Sequence, residues 1–445
     1  MRATQEHLGR RLPAPSRWLP HRVFYGWWIV LAGLFVSALG TGFSFHGLGV
    51  FIQPLQNEFG WDRTAIAGAF SLARLEHGGL GPVEGYLVDR LGARRMMLIG
   101  VPIMAMGFIL IAFVRDLPSF YLIFVLAITL GSSLGFATPL SAAIANWFQR
   151  YRGRAFGIMW TGHGLAGLPV FFLGWLVAEL GWRWAAALAG VTLLVVGTPA
   201  ALIVHHSPED VGLRPDGDPD HRPPPPAPAP TLRPASRWRT REMNTVDFTP
   251  TQAIKTSAFW LISLSQGLRQ MVTAAVLLHF APMMQDRGME QTAAAALLGA
   301  MVLITIPGRL VLPWLGDSLN KRLLLAAGLA TIGGTIFVMG HSPSLVVFLT
   351  AMVVFSVIIG GLSALPNPLR ADYFGRRHYA TIQGWMNPVS TIGLLIGPLA
   401  AARAFDVTGS YTIAFDFFAL ASLVAALLML AVRRPMLRTA VSQGA

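Results

Sequence analysis

The chain has no cysteine. That excludes disulfides, thiolate metal sites and cysteine nucleophiles. It is also poor in charge: Asp, Glu, Lys and Arg make up 12% of its 445 residues, against about 25% in an average soluble domain. A soluble protein so apolar would expose large adhesive patches, so lipid is the solvent that fits. No apolar run precedes Phe24, so residues 1–23, basic and proline-bearing, read as a cytoplasmic tail and not as a cleavable signal peptide. No Gly-x-Ser-x-Gly elbow, zinc motif, P-loop or pair of catalytic carboxylates occurs with supporting context, and there is no His-x-x-x-His spacing. No enzyme, cofactor or metal site is therefore expected.

What the chain has is apolar length: 54% of its residues are hydrophobic. Twelve runs stand out, at 24–52, 62–88, 96–114, 119–148, 154–180, 184–204, 257–281, 291–316, 322–340, 344–373, 379–404 and 411–432. At roughly 1.5 Å per residue most are long enough to cross a bilayer core of about 30 Å. Their many Gly and Pro residues are tolerated where neighbouring helices re-satisfy the backbone. The expected fold is an all-α membrane protein of twelve transmembrane helices.

The net charge of +13 raises the question of nucleic acid, but its distribution answers otherwise. With the N-terminus inside, only five basic residues fall outside (Arg63, Arg115, Arg183, Arg287, Arg403) and three within spans (Arg74, Arg269, Arg309). The other 26 of the 34 lie on the inner side. This is positive-inside asymmetry, so the excess sets orientation, with both termini cytoplasmic and no nucleic-acid partner. Residues 205–256 separate two groups of six spans, and Arg222-Pro-Pro-Pro-Pro-Ala-Pro-Ala-Pro230 cannot form a core, so this segment reads as a cytoplasmic linker. The division is thus a tail (1–23), a six-helix bundle (24–204), the linker, a second bundle (257–432) and a cytoplasmic tail (433–445).

The two bundles repeat each other. Gly85-Tyr-Leu-Val-Asp-Arg-Leu-Gly-Ala-Arg-Arg95 has a decayed copy, Pro313-Trp-Leu-Gly-Asp-Ser-Leu-Asn-Lys-Arg322, at an offset of 228 residues. Asn146-Trp-Phe-Gln-Arg-Tyr-Arg-Gly-Arg-Ala-Phe-Gly157 is echoed by Asp372-Tyr-Phe-Gly-Arg-Arg-His-Tyr-Ala-Thr-Ile-Gln-Gly384. Two parallel pseudo-symmetric halves with a central binding site are expected. The first motif resembles the loop between helices 2 and 3 of the major facilitator superfamily. Tyr25-Gly-Trp-Trp-Ile-Val30, Arg152-Gly-Arg-Ala-Phe-Gly157 with Gly162 and Gly164, and Gly308-Arg309 together resemble the monocarboxylate transporters and the bacterial oxalate/formate antiporters. The resemblance implies a transporter of the cell membrane. Three positions depart from it. The acid that animal relatives carry one turn before the span 8 arginine is Thr305 here, span 1 has no lysine, and span 11 has none between Tyr379 and Ala402. The resemblance therefore supplies no proton site.

Charges in a membrane core are costly unless paired or wetted, which makes them binding candidates. Arg309 should face the central cavity, where its planar fork suits a carboxylate; a structural salt bridge is the alternative. Arg269 shares a face with Ser265, Gln266 and Thr273, as a cavity wall or as helix–helix glue. Trp160, His163 and Asn387 complete the candidate substrate set, with close packing of His163 between Gly162 and Gly164 the alternative. His46 and His279, near outer helix ends, read as interfacial. On span 2, Arg74, His77, Gly81 and Glu84 share one side and Glu76 points elsewhere. They read as a proton relay or ion-pair gate, or as acids that merely neutralise Arg74. Gly85, Asp89, Arg90, Gly92, Arg94 and Arg95 read as a conformational latch, its ion pairs forming in one state and breaking in another.

The resulting expectation is a secondary transporter, a monomer in the bilayer, moving a small organic anion, above all a monocarboxylate, by alternating access. Proton symport or anion exchange would supply the coupling. Within transport the rival is drug or metabolite efflux anchored on Glu76 or Glu84. The rival of another class is a non-transporting membrane sensor.

Overall fold

The computed structural model describes residues 23–47, 49–217 and 247–436. The proline-rich stretch 222–230, residues 1–22 and residues 437–445 lie outside the described residues. Twelve helical spans follow in order: α1 (Tyr25–Phe59), α2 (Arg63–Leu91), α3 (Ala93–Ile111), α4 (Leu117–Trp147), α5 (Arg152–Leu180), α6 (Trp182–Ile203), α7 (Ser257–Asp286), α8 (Gln291–Ser318), α9 (Lys321–His341), α10 (Leu345–Phe374), α11 (Tyr379–Thr408) and α12 (Thr412–Ala431). No strand occurs among the described residues. Eleven of these spans are long and apolar enough to cross a membrane. The twelfth, α2, has the length, at 29 residues, but carries Arg74, Glu76, His77 and Glu84. The twelve expected runs all become helices, and α1, α7 and α11 run several residues past their expected ends.

Several spans are locally rewound. π-helical turns interrupt α1 at Gly42–His46, α4 at Phe124–Thr129 and α6 at Leu193–Gly197. Such turns change which face later side chains present. In α10, Pro366 cannot donate into the preceding turn, and a short helix, Pro366–Phe374, restarts there.

Buried apolar side chains gather into two cores, one from α1–α6 that also takes in Ala371, Tyr379 and Ala380, and the other from α7–α12. Between them the extensive seams are α2 against α11 and α5 against α8. Small residues make both possible. A Cβ on Gly153 of α5 would lie 1.8 Å from the Pro313 carbonyl oxygen of α8, and one on Gly384 of α11 would lie 2.0 Å from that of Gly81 in α2. Both contacts lie toward the end of the bundle that carries the basic loops 92–95, 148–151 and 375–378, called the basic end below.

Gly153→Ala is expected to push α5 away from α8, since overpacking of this kind costs about 1–3 kcal/mol. With no native cysteine, spin labels at Gln149→Cys and Leu319→Cys report only this separation. The distance should lengthen in Gly153→Ala; an unchanged distribution would show that the seam tolerates the methyl.

The expected plain linker is docked where it is described. Residues 205–217 fold onto the basic end through short 3-10 turns, Pro208–Val211 and Pro215–Gly217. Asp216 accepts from the amides of Gln149 at 3.0 Å and Arg150 at 2.8 Å. Asp247, on the far side of the linker, accepts from Arg376 at 2.8 Å and Arg377 at 3.2 Å. Each end thus holds the loop that precedes α5 or α11.

Candidate functional site

Arg309 of α8 reaches across the seam, and its Nη1 donates to the Trp160 carbonyl of α5 at 2.6 Å. The Trp160 ring stacks on His163, centroids 4.3 Å apart. Three buried nitrogens of this cluster have no hydrogen-bond partner: Arg309 Nε, Trp160 Nε1 and His163 Nδ1. A buried polar group left unpaired costs about 1–3 kcal/mol. Several in one cluster, beside a guanidinium, mark a place for a polar ligand. The guanidinium's field also reaches His46. His46 ends the π-turn of α1, exposed and beside the Phe45 ring.

His163 and His77 line one cavity of about 60 Å³, together with Ser37, Thr41, Ser132, Ser133 and Phe136. His77 Nδ1 is 2.7 Å from the Ser133 hydroxyl of α4. A candidate coupling group and a candidate substrate group thus share a small polar chamber. Arg74 does not pair with the acids on its helix: its guanidinium lies 5.5 Å from the Phe45 ring centroid, and both Glu76 oxygens are buried without a hydrogen-bond partner. Neutralisation of Arg74 is therefore not their arrangement here. Glu84 is 2% exposed and within electrostatic reach of Glu76, although the helical wheel set them on different sides.

In the second half, Arg269 Nε donates to Gln266 Oε1 at 2.9 Å. The rest of the expected polar face is spent elsewhere. The Ser265 hydroxyl donates to the Ala425 carbonyl of α12, and that of Thr273 to the carbonyl of Arg269. Asn387 packs against Gly81 in the α2–α11 seam. His279 is bound inside this half, to Tyr411 at 3.1 Å and the Pro398 carbonyl at 3.0 Å. Sequence reading missed Arg370. It was counted with the loop cations of the Asp372 motif, yet it sits within α10, half-buried and within reach of Arg269.

The loop motif crosses the seam through its acid. Asp89 accepts from the amides of Ala380 at 3.1 Å and Thr381 at 2.8 Å, and from the Thr381 hydroxyl at 2.6 Å. Those are first-turn amides of α11, which have no partner within their own helix. Gly85 allows the approach, with a Cβ there only 2.2 Å from the Ala380 carbonyl oxygen. Asp317, 228 residues later, does the same to α5, accepting from Gly153 at 2.6 Å and Arg154 at 3.1 Å. The expected ion pairs of the basic residues are absent from this seam. Arg90 donates to Tyr86 on its own helix, Arg94 contacts His205, Arg95 is exposed, and Gly92, at φ 87°, makes the turn into α3. Ion pairs between the halves come from other residues, Arg152 with Asp372 at 2.7 Å and Arg154 with Asp317 at 3.7 Å, and Arg376 pairs with Glu209 of the linker at 2.6 Å.

Two helical halves meeting around a polar cluster can bind a solute between them and exchange its access. The profile described as Major Facilitator Superfamily matches residues 31–398. The chain belongs to that superfamily. Among curated proteins it is similar to monocarboxylate transporter 3 of Rattus norvegicus, 28% identical over 88% of this chain and 76% of that one. Monocarboxylate transporter 11 of Homo sapiens is 26% identical over 88% and 79%. Among solved structures, the human organic anion transporter MFSD10 has a TM-score of 0.64 at 15% identity, covering 90% of this chain and 98% of that one. The transporter FucP scores 0.67 at 14% identity, over 92% and 98%. This major facilitator protein is accordingly a multi-pass membrane transporter of a small-molecule substrate, and not an enzyme.

Proposed function

We propose that this major facilitator protein moves a small organic anion, a monocarboxylate, across the cell membrane by alternating access, with the basic end cytoplasmic. The halves are taken as 24–204 and 257–432, joined by the linker 205–256 and flanked by the tails 1–23 and 433–445. The observation that carries the reading is the Arg309 cluster. Its Nε has no partner while Nη1 is held by Trp160. The open edge of a guanidinium suits a carboxylate through two hydrogen bonds. Trp160 Nε1 and His163 Nδ1 add unpartnered groups beside it. The named relatives support the same class. Efflux of an apolar cation finds less support, since the acids it would use sit on α2 and the deep cations outnumber them. The test is propionate uptake and binding in proteoliposomes with Arg309 variants.

For coupling, we place the proton on α2, at Glu76, His77 and Glu84, because Thr305 leaves α8 without an acid there. Removing the responsible group should abolish uphill uptake driven by a pH gradient and spare exchange at equal concentrations, which needs no net proton movement. Uptake and counterflow are measured for Glu76→Gln, His77→Gln and Glu84→Gln. If all three keep gradient-driven accumulation, α2 is not the proton path. If the wild type ignores pH, anion exchange replaces symport.

A further inference from the structure

The chain leaves α6 at Ile203 and crosses the basic end, where His205 and His206 follow at once. Both rings act as acceptors. The amide of Ala93, first in α3 and without a partner in its own helix, donates to His206 Nδ1 at 3.2 Å. An amide can only donate, so that nitrogen carries a lone pair and the ring is neutral. His205 Nε2 lies 3.3 Å from Arg94 Nη1, which also can only donate. Its Nδ1 lies 3.2 Å from the Ile203 carbonyl, which can only accept. His205 is therefore neutral too, with its proton on Nδ1. α4 grips the backbone here: Asn146 Nδ2 donates to the His206 carbonyl at 3.1 Å and Trp147 Nε1 to that of His205 at 2.9 Å.

Three residues later the same segment reaches the second half. Glu209 pairs with Arg376, ahead of α11, at 2.6 Å, and Arg376 Nη1 donates to the Asn146 carbonyl at 3.2 Å. Residues 205–209 thus clasp the two halves at the basic end, and two neutral imidazoles help fasten the clasp to the first half. The charged and titratable groups facing the pair are Arg94 of α3, Tyr25 of α1, whose ring lies 5.6 Å from that of His205, Glu209 and Asp210 of the segment, and Arg376. α4 offers the neutral Asn146 and Trp147. Burial, and then Arg94, hold His205 below the usual imidazole value. Burial does the same to His206, against the opposite pull of Asp210 and Glu209. An added proton would set a donor against the Ala93 amide and a cation against Arg94. A histidine depressed in the docked state supports docking above its free value of about 6.5 and loses that support as pH falls.

We infer that His205 and His206 make this clasp a pH-sensitive fastening: the neutral rings help hold the basic end closed, and acid on that side releases it. The inference goes beyond the proposed function and needs neither the anion nor the α2 protons. With the basic end cytoplasmic, as proposed, an acid cytoplasm would favour the state that loads from inside.

The test reads the distance between labels at Gln149→Cys and Leu319→Cys in the purified full chain, without substrate, at about pH 7.5 and about pH 5.5. At the lower value roughly ten in eleven free imidazoles are protonated, so each ring can raise the ratio of open to closed states by up to about tenfold. Wild type is expected to gain longer distances on acidification. In His205→Gln with His206→Asn, an amide oxygen stands in for each accepting nitrogen and takes no proton, so the distances should keep their neutral-pH values. Arg94→Gln alters neither ring but relieves the repulsion on a protonated His205, and should shrink the response to the share of His206. A wild type that ignores pH overturns the inference. So does an acid response undiminished in the double histidine variant, which would assign the opening to the acids of α2. An undiminished response in Arg94→Gln removes His205 from the fastening.

Discussion

Arg309→Lys is expected to weaken carboxylate binding by about one to two decades while the protein stays folded. A hydrogen bond to a charged group contributes about 1.5–3 kcal/mol, and each 1.4 kcal/mol is roughly a factor of ten. Lysine keeps the positive charge, so steering of an anion into the cavity survives. It loses the planar fork, and with it the open edge at Nε. A lysine ammonium could satisfy either the Trp160 carbonyl, which Arg309 holds at 2.6 Å, or the ligand, but not both through rigid geometry. Arg309→Ala removes the charge as well and should leave transport at background. Propionate binding and proteoliposome uptake check both variants. Wild-type uptake in Arg309→Lys and Arg309→Ala would make Arg309 a structural link between α5 and α8. The anion reading would then lose its main support.

The fold was legible because bilayer physics writes it in large letters. Twelve apolar runs, an asymmetry of cations and a repeated loop motif gave helix number and a pseudo-twofold arrangement. The candidate cluster was legible where one residue type suggests the chemistry, as the deep cation Arg309 does, and its contact is the expected residue Trp160. The rest was not legible where position depended on helix rewinding. Arg370 stands two residues before Asp372 in a motif that continues into a basic loop. Pro366 restarts the helix and carries Arg370 into the span, a consequence that hydropathy does not register.

The loop expected to act as a latch does join the two halves, by a chemistry other than the expected ion pairs. The basic residues suggested ion pairs, and Asp89 instead takes backbone amides from the opposite half. That is hard to see in a sequence, since an amide acceptor has no residue type. The signal that was available was the repeat itself: Asp89 and Asp317 are the acid retained in both copies, and both cap a helix of the other half.

Replacing both acids, Asp89→Asn with Asp317→Asn, is expected to unseat the closed basic end. Each carboxylate holds two first-turn amides of the opposite half, and the helix N-terminus adds a favourable partial positive charge. Asparagine keeps the shape and gives up the charge, at a cost of about 1–2 kcal/mol per cap. The two caps sit on different helix pairs and share no partner, so their effects should nearly add. A combined shift of about 2–4 kcal/mol alters the ratio of closed to open states by roughly thirty- to a thousandfold. Labels at Gln149→Cys and Leu319→Cys read the α5–α8 side of this change. Their distance should lengthen in the double variant and less in each single one. Asp89→Asn alone should slow transport and leave equilibrium propionate binding within a few-fold, because the loop lies away from Arg309. A large loss of binding with normal switching would place Asp89 in the substrate site instead. An unchanged label distance in the double variant would mean that the Arg152–Asp372 and Arg376–Glu209 pairs hold the basic end closed without the caps.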